Sequence, residues 1–277
     1  MSVFLHKNSR VIIQGFTEQQ ATLHAEEAIK IGTNIVGGVV PGKGGTQHLG
    51  LPVFNTVEEA VQATGADISG IFVPPSLAAD AIMEAIKAGI KTVVAITDNI
   101  SEQDMMNVAR CKAGTGSIVL GPNTHGIITP GAGKVGTMPS HIYSPGRVGI
   151  ISRSGALDQE AAAQMKEVGL GQSTSVGIGG DPLNGTDFIT VLKVFDEDPD
   201  TDAVLMIGEI DGRQENEVAQ WVMDNMRKPL IGYFTDLTNA DTASARLDKM
   251  EELGIYVVRN PADMGATVLS VISMCVC

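Results

Sequence analysis

The segment VIIQG at residues 11–15 decides how the first part of this chain folds. Three β-branched residues in a row favour a buried strand, and the glycine that closes the run suits a tight turn. In the next stretch the apolar residues Ala21, Ala25, Ala28 and Ile29 recur at helical spacing, which predicts one buried face of an amphipathic helix. The pattern therefore predicts a strand, a turn and a helix.

Similar apolar runs recur along the N-terminal half of the chain. They are IVGGV at 35–39, ISGIFVP at 68–74, TVVAIT at 92–97 and SIVLGP at 117–122. A helix-like segment, SLAADAIMEAIKAG, separates two of them. Strands that alternate with helices form parallel sheets, because each helix returns the chain to the starting edge of the sheet. We therefore predict an α/β domain with a doubly wound sheet over residues 1–122.

A Gly- and Pro-rich stretch without periodicity follows this domain, PNTHGIITPGAGKVGTMPSHIYSP at 122–145. It predicts a connecting segment, whose bounds we set at 123–145. A second α/β domain is predicted over 146–277. It begins with the strand VGIIS, which leads through RSG into a helix, and TSVGIG, AVLMIGEI and PLIGYF provide later strands.

Composition and charge exclude several classes of protein. The formal net charge is -13, whereas a nucleic-acid partner requires a basic surface. No stretch approaches the roughly 18 apolar residues of a membrane span and the N-terminus has no signal pattern, so we expect a cytoplasmic protein without a membrane partner. The 3 cysteines are too few for a disulfide framework, and neither they nor the 5 histidines have metal-site spacing, so we expect no metal.

Loops at the predicted strand ends are candidate ligand sites, because parallel sheets bind ligands at the carboxyl ends of their strands. GFTEQQAT follows the first strand, and VVPGKGGTQHLG at 39–50 places Lys43 among glycines. AITD at 95–98 and GPNTHG at 121–126 end later strands. For the lysine loop, the alternative is a glycine-rich surface loop with a solvated Lys43.

Two further loops belong to the second predicted domain, SRSG at 152–155 and GIGGDP at 177–182. An SRSG turn that opens a helix can hold a phosphoryl group through its backbone N–H groups and the hydroxyl of Ser154. The alternative is a plain helix N-cap at Ser154.

Together these loops resemble the α subunit of succinyl-CoA synthetase and of its relative malate-CoA ligase. VVPGKGG, HLGLPVFNT, GPN, HIYSPGRVGIISRSG, GIGGDP and MIGEI occur in the order and spacing of that family. The resemblance implies a Rossmann-type CoA-binding domain followed by a flavodoxin-like CoA-ligase domain that carries a transiently phosphorylated histidine. It also implies an ATP-grasp β subunit that supplies the nucleoside triphosphate and magnesium, and a small dicarboxylic acid as substrate.

The resemblance assigns roles to individual residues of this chain. The CoA site would comprise Thr17, Glu18, Gln19, Gln20, Lys43, Ile96, Thr97, Asp98 and Asn123. Lys43 would offer its ammonium group to a phosphate of CoA. Ser154 and Gly155 would form a phosphate cradle, and Glu209 would match the carboxylate that orients the phosphohistidine.

The chain also departs from the family pattern. Where the family has a basic, glycine-rich loop that ends in the phosphorylated histidine, residues 232–254 read GYFTDLTNADTASARLDKMEELG, and residues 142–277 contain no histidine. A tyrosine of the family near the acid substrate is Gln159, a glycine of the CoA loop is Glu18, and a cysteine-proline pair is Thr124 and His125. These departures predict altered chemistry, although drift in a duplicated gene would produce the same pattern.

The sequence leaves three functions open. The first is an α-type subunit of a dicarboxylate-CoA ligase whose mechanism bypasses the phosphohistidine, with His125 as an alternative phosphoryl acceptor or base. The second is a non-catalytic CoA-binding or regulatory partner subunit. The third possibility is a related transferase that uses the SRSG cradle for new chemistry.

Overall fold

The computed structural model describes residues 4–209, 214–235 and 240–275. Contacts between residues divide the chain into two compact units. We call residues 4–138 together with 177–186 the N-terminal unit, and residues 139–176 together with those from 187 onward the C-terminal unit. Each is an α/β structure, which confirms the predicted fold class.

The sheet of the N-terminal unit has the strand order β3-β4-β2-β1-β5-β6-β7. Its strands are β1 Val11–Gln14, β2 Ile35–Val39, β3 Gln47–His48, β4 Leu51–Phe54, β5 Ile68–Ile71, β6 Thr92–Ala95 and β7 Ile118–Leu120. Its helices are α1 Gln19–Lys30, α2 Val57–Thr64, α3 Pro75–Lys87 and α4 Glu102–Lys112. All strand pairs are parallel except β3 with β4. The chain runs outward from β1 on one side and resumes at β5 on the other, so the sheet is doubly wound, with its switch point between β1 and β5.

The predicted strands form because their apolar residues are buried. All four residues of β1, β5 and β6 are buried, as expected for parallel strands covered on both faces. On α1 the predicted Ala21, Ala25 and Ala28 are buried, but Ile29 is 39% exposed, which corrects its placement on the buried face. Ile29 lies one residue beyond Ala28, and one helical step rotates a side chain by about 100°.

The segment predicted as an aperiodic connection, 123–145, contains an antiparallel hairpin of β8 Gly126–Thr129 and β9 Gly133–Gly136. Gly126 and Gly136 face each other across the hairpin, both with positive φ angles, of 109° and 125°. A β-carbon on Gly126 would collide with the carbonyl of Val135, so this close backbone approach requires glycine. Glycine is more typical of turns and linkers than of strands, so these glycines led the sequence analysis to predict a connection instead of a hairpin.

Within the C-terminal unit the strand order is β14-β13-β12-β10-β11. These strands are β10 Pro145–Ser152, β11 Gln172–Gly177, β12 Ala203–Glu209, β13 Leu230–Thr235 and β14 Tyr256–Val258. The helices are α5 Gly155–Glu167, α6 Phe188–Glu197, α7 Gln214–Asn225, α8 Ala240–Glu252 and α9 Met264–Cys275, with a 3-10 turn at Pro261–Asp263. If β10 is counted as strand 1 and the sheet is read from β11 to β14, the order is 2-1-3-4-5. This is the flavodoxin-like order, which confirms the prediction.

Two details of the C-terminal region differ from the sequence analysis. Residues 232–254, at the position of the family's basic loop, contain the end of β13, as predicted for the strand PLIGYF, and the 13 residues of α8, a helix that was not predicted; 236–239 lie outside the described residues. GIGGDP, predicted within the second domain, packs as part of 177–186 with the N-terminal unit. Among the described residues, none of the helices is long and apolar enough to cross a membrane.

Candidate functional site

The turn after β1 has the shape expected of a ligand-binding strand end. Gly15 has a φ of 77°, and the backbone N–H of Glu18 donates to the Gly15 carbonyl at 2.8 Å. Glu18 is the N-cap of α1, but its side chain makes no capping hydrogen bond. Gln19 and Gln20 open the helix and are exposed. The exposed Glu18 carboxylate thus stands at a helix N-terminus, where an anionic ligand would otherwise be favoured.

Lys43 lies beside this turn. Its Nζ donates to the hydroxyl of Thr17 at 2.8 Å, although the two residues are 26 positions apart. The contact brings together the ends of β1 and β2. An exposed ammonium group next to backbone N–H groups is a suitable partner for a phosphate.

The ends of β5, β6 and β7 are also joined by hydrogen bonds. Thr97 donates from its hydroxyl to the carbonyl of Val73 at 2.7 Å, and the N–H of Asn123 donates to the carbonyl of Thr97 at 2.9 Å. The N–H of Ile96 donates to the carbonyl of Ile71 at 3.1 Å. The side chain of Asp98 is exposed to solvent. These contacts order the predicted residues 96–98 and Asn123 along the same edge of the sheet.

Asn123 is held in a left-handed conformation with a φ of 56°. Its side-chain amide donates to Asp181 at 2.8 Å, and its carbonyl accepts from the N–H of Gly180 at 3.1 Å. The imidazole of His125 packs against Gly177, where a β-carbon would come within 2.7 Å of the ring. GPN and GIGGDP, which are more than 50 residues apart, therefore form one structural feature.

A cavity of about 430 Å³ opens at the strand ends of the N-terminal unit. Its mostly apolar wall includes Gly15, Val39, Pro41, Val73 and Leu77, and polar residues of α3 also line it. Gly15, Val39 and Pro41 belong to loops that the sequence predicted as candidate ligand sites. Val73 and Leu77 were not predicted as site residues, because they lie in a predicted strand and a predicted helix, where apolar residues are typical of the core.

The predicted phosphate cradle is the N-terminus of α5. Ser154 is the N-cap, and its hydroxyl oxygen accepts from the N–H of Leu157 at 3.3 Å. The hydroxyl of Ser152 accepts from the N–H of Ser154 and donates to its carbonyl, at 3.0 and 2.8 Å. Ser154 is thus an N-cap, as the alternative interpretation of this turn proposed. An N-cap is compatible with a phosphate cradle, because the first N–H groups of a helix have no partner within the helix and point outward from its end.

Glu209 ends β12, next to the strand that leads into the cradle. Ser152 of β10 pairs with Ile207 of β12, so Ser154 and Glu209 each lie two residues beyond this pair. Glu209 is half-buried and pairs in register with Thr235 of β13. Residues 210–213, which follow Glu209, lie outside the described residues.

A buried polar cluster supports the first turn of α5. Asp158 is fully buried, and the hydroxyl of Ser175 lies 2.8 and 2.7 Å from its two carboxylate oxygens. Burial, together with the nearby charge of Asp158, raises the pKa of the Tyr143 hydroxyl. Sequence analysis missed this cluster, whose members come from three separate segments.

The structure describes no group of three or more His, Cys, Asp and Glu side chains with metal-binding geometry in residues 4–209, 214–235 and 240–275. Cys111 is half-buried on α4. The side chains of the Cys-Val-Cys sequence at 275–277 lie outside the described residues.

Comparison with known proteins identifies the relatives of this chain. Residues 6–99 match the CoA binding domain family and residues 151–261 match the CoA-ligase family. The malate-CoA ligase α subunit of Methylorubrum extorquens is 50% identical and the match covers 99% of both chains. The chain belongs to the succinate- and malate-CoA ligase α-subunit family. The ADP-forming succinate-CoA ligase α subunit of Aquifex aeolicus is another family member, 44% identical over 99% of this chain and 96% of the relative.

This CoA ligase α-subunit family member also has the fold of larger enzymes. ATP citrate lyase from Methanothrix soehngenii, in complex with citrate and coenzyme A, matches 98% of this chain with a TM-score of 0.86 and 25% identity. The match covers 51% of that chain, so this family member spans about half the length of the citrate lyase chain.

The alignment with the Methylorubrum relative also shows a difference in length. It extends over 293 positions, whereas 99% of this chain is about 274 residues. The relative therefore has about 19 residues within the matched region where this α-subunit family member has none.

Proposed function

We propose that this chain is the α-type subunit of a dicarboxylate-CoA ligase and binds CoA in its N-terminal unit. The observation that carries the proposal is the placement of Lys43 at 2.8 Å from Thr17, in the unit that holds the 430 Å³ apolar cavity. A basic group for phosphates and an apolar wall for a ring or an alkyl chain are the two features that a CoA site requires. Family membership supports the same assignment.

The residues present fit CoA. Lys43 and the turn Thr17–Gln20 would hold its phosphates, and the strand end Ile96–Asp98 with Asn123 would hold an uncharged part of the molecule. When bound, CoA supplies the thiol that becomes the thioester of the product. Glu18 lowers the affinity of this site for CoA, because its exposed carboxylate repels the phosphates of CoA.

We propose that an ATP-grasp β subunit supplies the nucleoside triphosphate and magnesium, and that the substrate is a small dicarboxylic acid. The curated relatives are named as α subunits of ligases, which supports a partner of this kind. We also place the protein in the cytoplasm, because a CoA ligase consumes nucleoside triphosphate and the few cysteines suit a reducing compartment.

We further propose that the reaction proceeds without the histidine relay of the family. The cradle at Ser154 and Gly155 and the carboxylate of Glu209 are retained, yet residues 142–277 contain no histidine. The relative has about 19 residues in the matched region that this chain lacks, and this supports the loss of a loop from this chain. In a direct route, the carboxylate of the acid would accept the γ-phosphoryl group as nucleoside diphosphate leaves, and the resulting acyl phosphate would release phosphate as the thioester forms and the thiol loses its proton.

A non-catalytic CoA-binding partner subunit is the second candidate, and the missing histidine favours it as well. It requires only the N-terminal site and the surface for a β subunit. A transferase with new chemistry at the cradle would require a phosphorylated substrate other than the family's.

Two assays on the purified complex with its β-type subunit separate these functions. One follows label from γ-labelled ATP or GTP onto this chain, and the other measures acyl-CoA formation from succinate or malate. We expect acyl-CoA formation without label. Absence of both would establish the non-catalytic partner, and acid-labile, base-stable label that disappears in His125→Asn would establish a relocated phosphohistidine and refute the direct route.

A further inference from the structure

The loop that carries Lys43 is folded around the side chain of Asn55. The side-chain oxygen Oδ1 of Asn55 accepts from the backbone N–H of Gly42 at 3.0 Å and from that of Gly44 at 2.9 Å. One oxygen therefore binds the residues on both sides of Lys43. Asn55 directly follows β4, and the lysine loop directly follows the neighbouring strand β2.

The fit between loop and side chain is close. Gly44 lies so near the amide group of Asn55 that a β-carbon on this glycine would overlap it. Gly42 has a φ of 82°, which only glycine adopts without strain. A loop with this much backbone freedom has no preferred shape of its own, because glycine loses the most conformational entropy on ordering. The two hydrogen bonds that Asn55 accepts therefore fix the loop on both sides of Lys43, beside backbone hydrogen bonds such as that from the N–H of Lys43 to the carbonyl of Val40 at 3.0 Å.

Asn55 is itself fixed to the start of α2. Its backbone N–H donates to a carboxylate oxygen of Glu59 at 2.9 Å. The N–H of Glu59 in turn donates to the hydroxyl of Thr56, the N-cap of the helix, at 3.1 Å. This reciprocal arrangement is a variant of the capping box, which holds the entry of a helix rigid.

We propose that Asn55 is a positioning residue for CoA binding, which presets the ammonium group of Lys43 next to Thr17 before the ligand arrives. The inference rests on the proposed function, since it presupposes that Lys43 binds the phosphates of CoA. Presetting raises affinity, because the loop and the long lysine side chain are ordered before binding rather than during it. Asn55 itself acts only through Lys43.

A double-mutant cycle between Asn55 and Lys43 tests this in the full chain. Calorimetric titration with CoA is performed on wild type, Asn55→Ala, Lys43→Ala and the double variant, with Asn107→Ala on α4 as a matched control. We expect Asn55→Ala to weaken CoA binding about tenfold, and to weaken it less than twofold when Lys43 is already absent. The control should bind as wild type does.

Hydrogen exchange of the ligand-free protein provides a second measurement. Asn55→Ala should accelerate exchange over residues 41–46, whereas Asn55→Asp keeps an acceptor oxygen at the position of Oδ1 and should retain the protection. If wild type fails to bind CoA while exchange responds as expected, the proposed function is wrong and the loop assignment stands. If wild type binds CoA and Asn55→Ala binds equally well, or loses affinity equally with and without Lys43, the positioning role is wrong.

Discussion

Replacing Glu27 by glutamine tests a buried charge that links α1 to the hairpin of the N-terminal unit. The ammonium group of Lys134 on β9 is 2.7 Å from the Glu27 carboxylate and donates to the carbonyl of Met138 at 2.8 Å. The Lys134 side chain is only 1% exposed, whereas Glu27 is 44% exposed. The variant therefore leaves a buried cation without its counter-charge.

The expected cost follows from these exposures. Breaking a fully buried ion pair from one side costs about 3–5 kcal/mol, and losing a hydrogen bond between charged groups costs about 1.5–3 kcal/mol. Water reaches the exposed side of Glu27, and glutamine retains an acceptor oxygen. We therefore expect the free energy of unfolding of the N-terminal unit to fall by about 2 kcal/mol.

Urea denaturation followed by circular dichroism measures this change, with Glu26→Gln on the same helix as the control. Lys134→Met removes the buried cation, so adding Glu27→Gln to that variant should cost less than about 0.5 kcal/mol. A similar loss in both backgrounds would show that Glu27 acts by some other contact. A loss below about 0.5 kcal/mol in the wild-type background would refute the argument from burial.

The same pair predicts a dependence on pH. The hydrogen bond from Lys134 holds the pKa of Glu27 below its ordinary value of 4.5. A carboxyl group whose pKa is lowered by folding stabilises the folded protein at pH values above the pKa that the group has in the unfolded chain. This stabilisation is lost as the pH falls through the lower pKa that the group has in the folded protein. The difference in stability between wild type and Glu27→Gln should therefore be constant above about pH 5.5 and shrink progressively below pH 4.5.

Three further substitutions test the site and the fold. Glu18→Gly should tighten CoA binding about threefold or more in calorimetry, because a carboxylate leaves the phosphate-binding turn; unchanged affinity would place the phosphates elsewhere. Ser154→Ala should lower the free energy of unfolding by about 1 kcal/mol and weaken inorganic phosphate binding, since the cap of α5 is lost; unaltered stability would contradict the capping role. Gly126→Ala should destabilise the N-terminal unit by about 2 kcal/mol or more in urea, because alanine is strained at a φ of 109° and collides with Val135. A smaller effect would mean that the hairpin relaxes.

The sequence predicted the strands and helices whose signal is local. IVGGV at 35–39 is β2 residue for residue, and the start of the chain's first strand was also predicted correctly. Burial on both faces makes such strands continuously apolar, and this property is visible without knowledge of neighbours. The family resemblance added the flavodoxin-like order of the C-terminal strands, which no local pattern contains.

The same patterns did not predict elements that depend on partners distant in the chain. The hairpin within 123–145 is built on glycines that resemble a linker until their opposite strand is known. The association of 177–186 with the N-terminal unit includes backbone hydrogen bonds to the GPN turn, over 50 residues earlier, such as that from the N–H of Gly180 to the carbonyl of Asn123. Backbone contacts of this kind are independent of side-chain periodicity, so hydropathy carries no signal for them.

For the candidate site, the sequence by itself determined which chemistry-bearing residues are present: Thr17, Lys43, Asn123 and Ser154, and no histidine after residue 141. Only the tertiary structure decided that Lys43 contacts Thr17 and that one side-chain oxygen, from Asn55, shapes the lysine loop. The physical reason is that a hydrogen bond depends on distance and angle in space. Strand order and register set that geometry, and they are properties of the folded sheet as a whole.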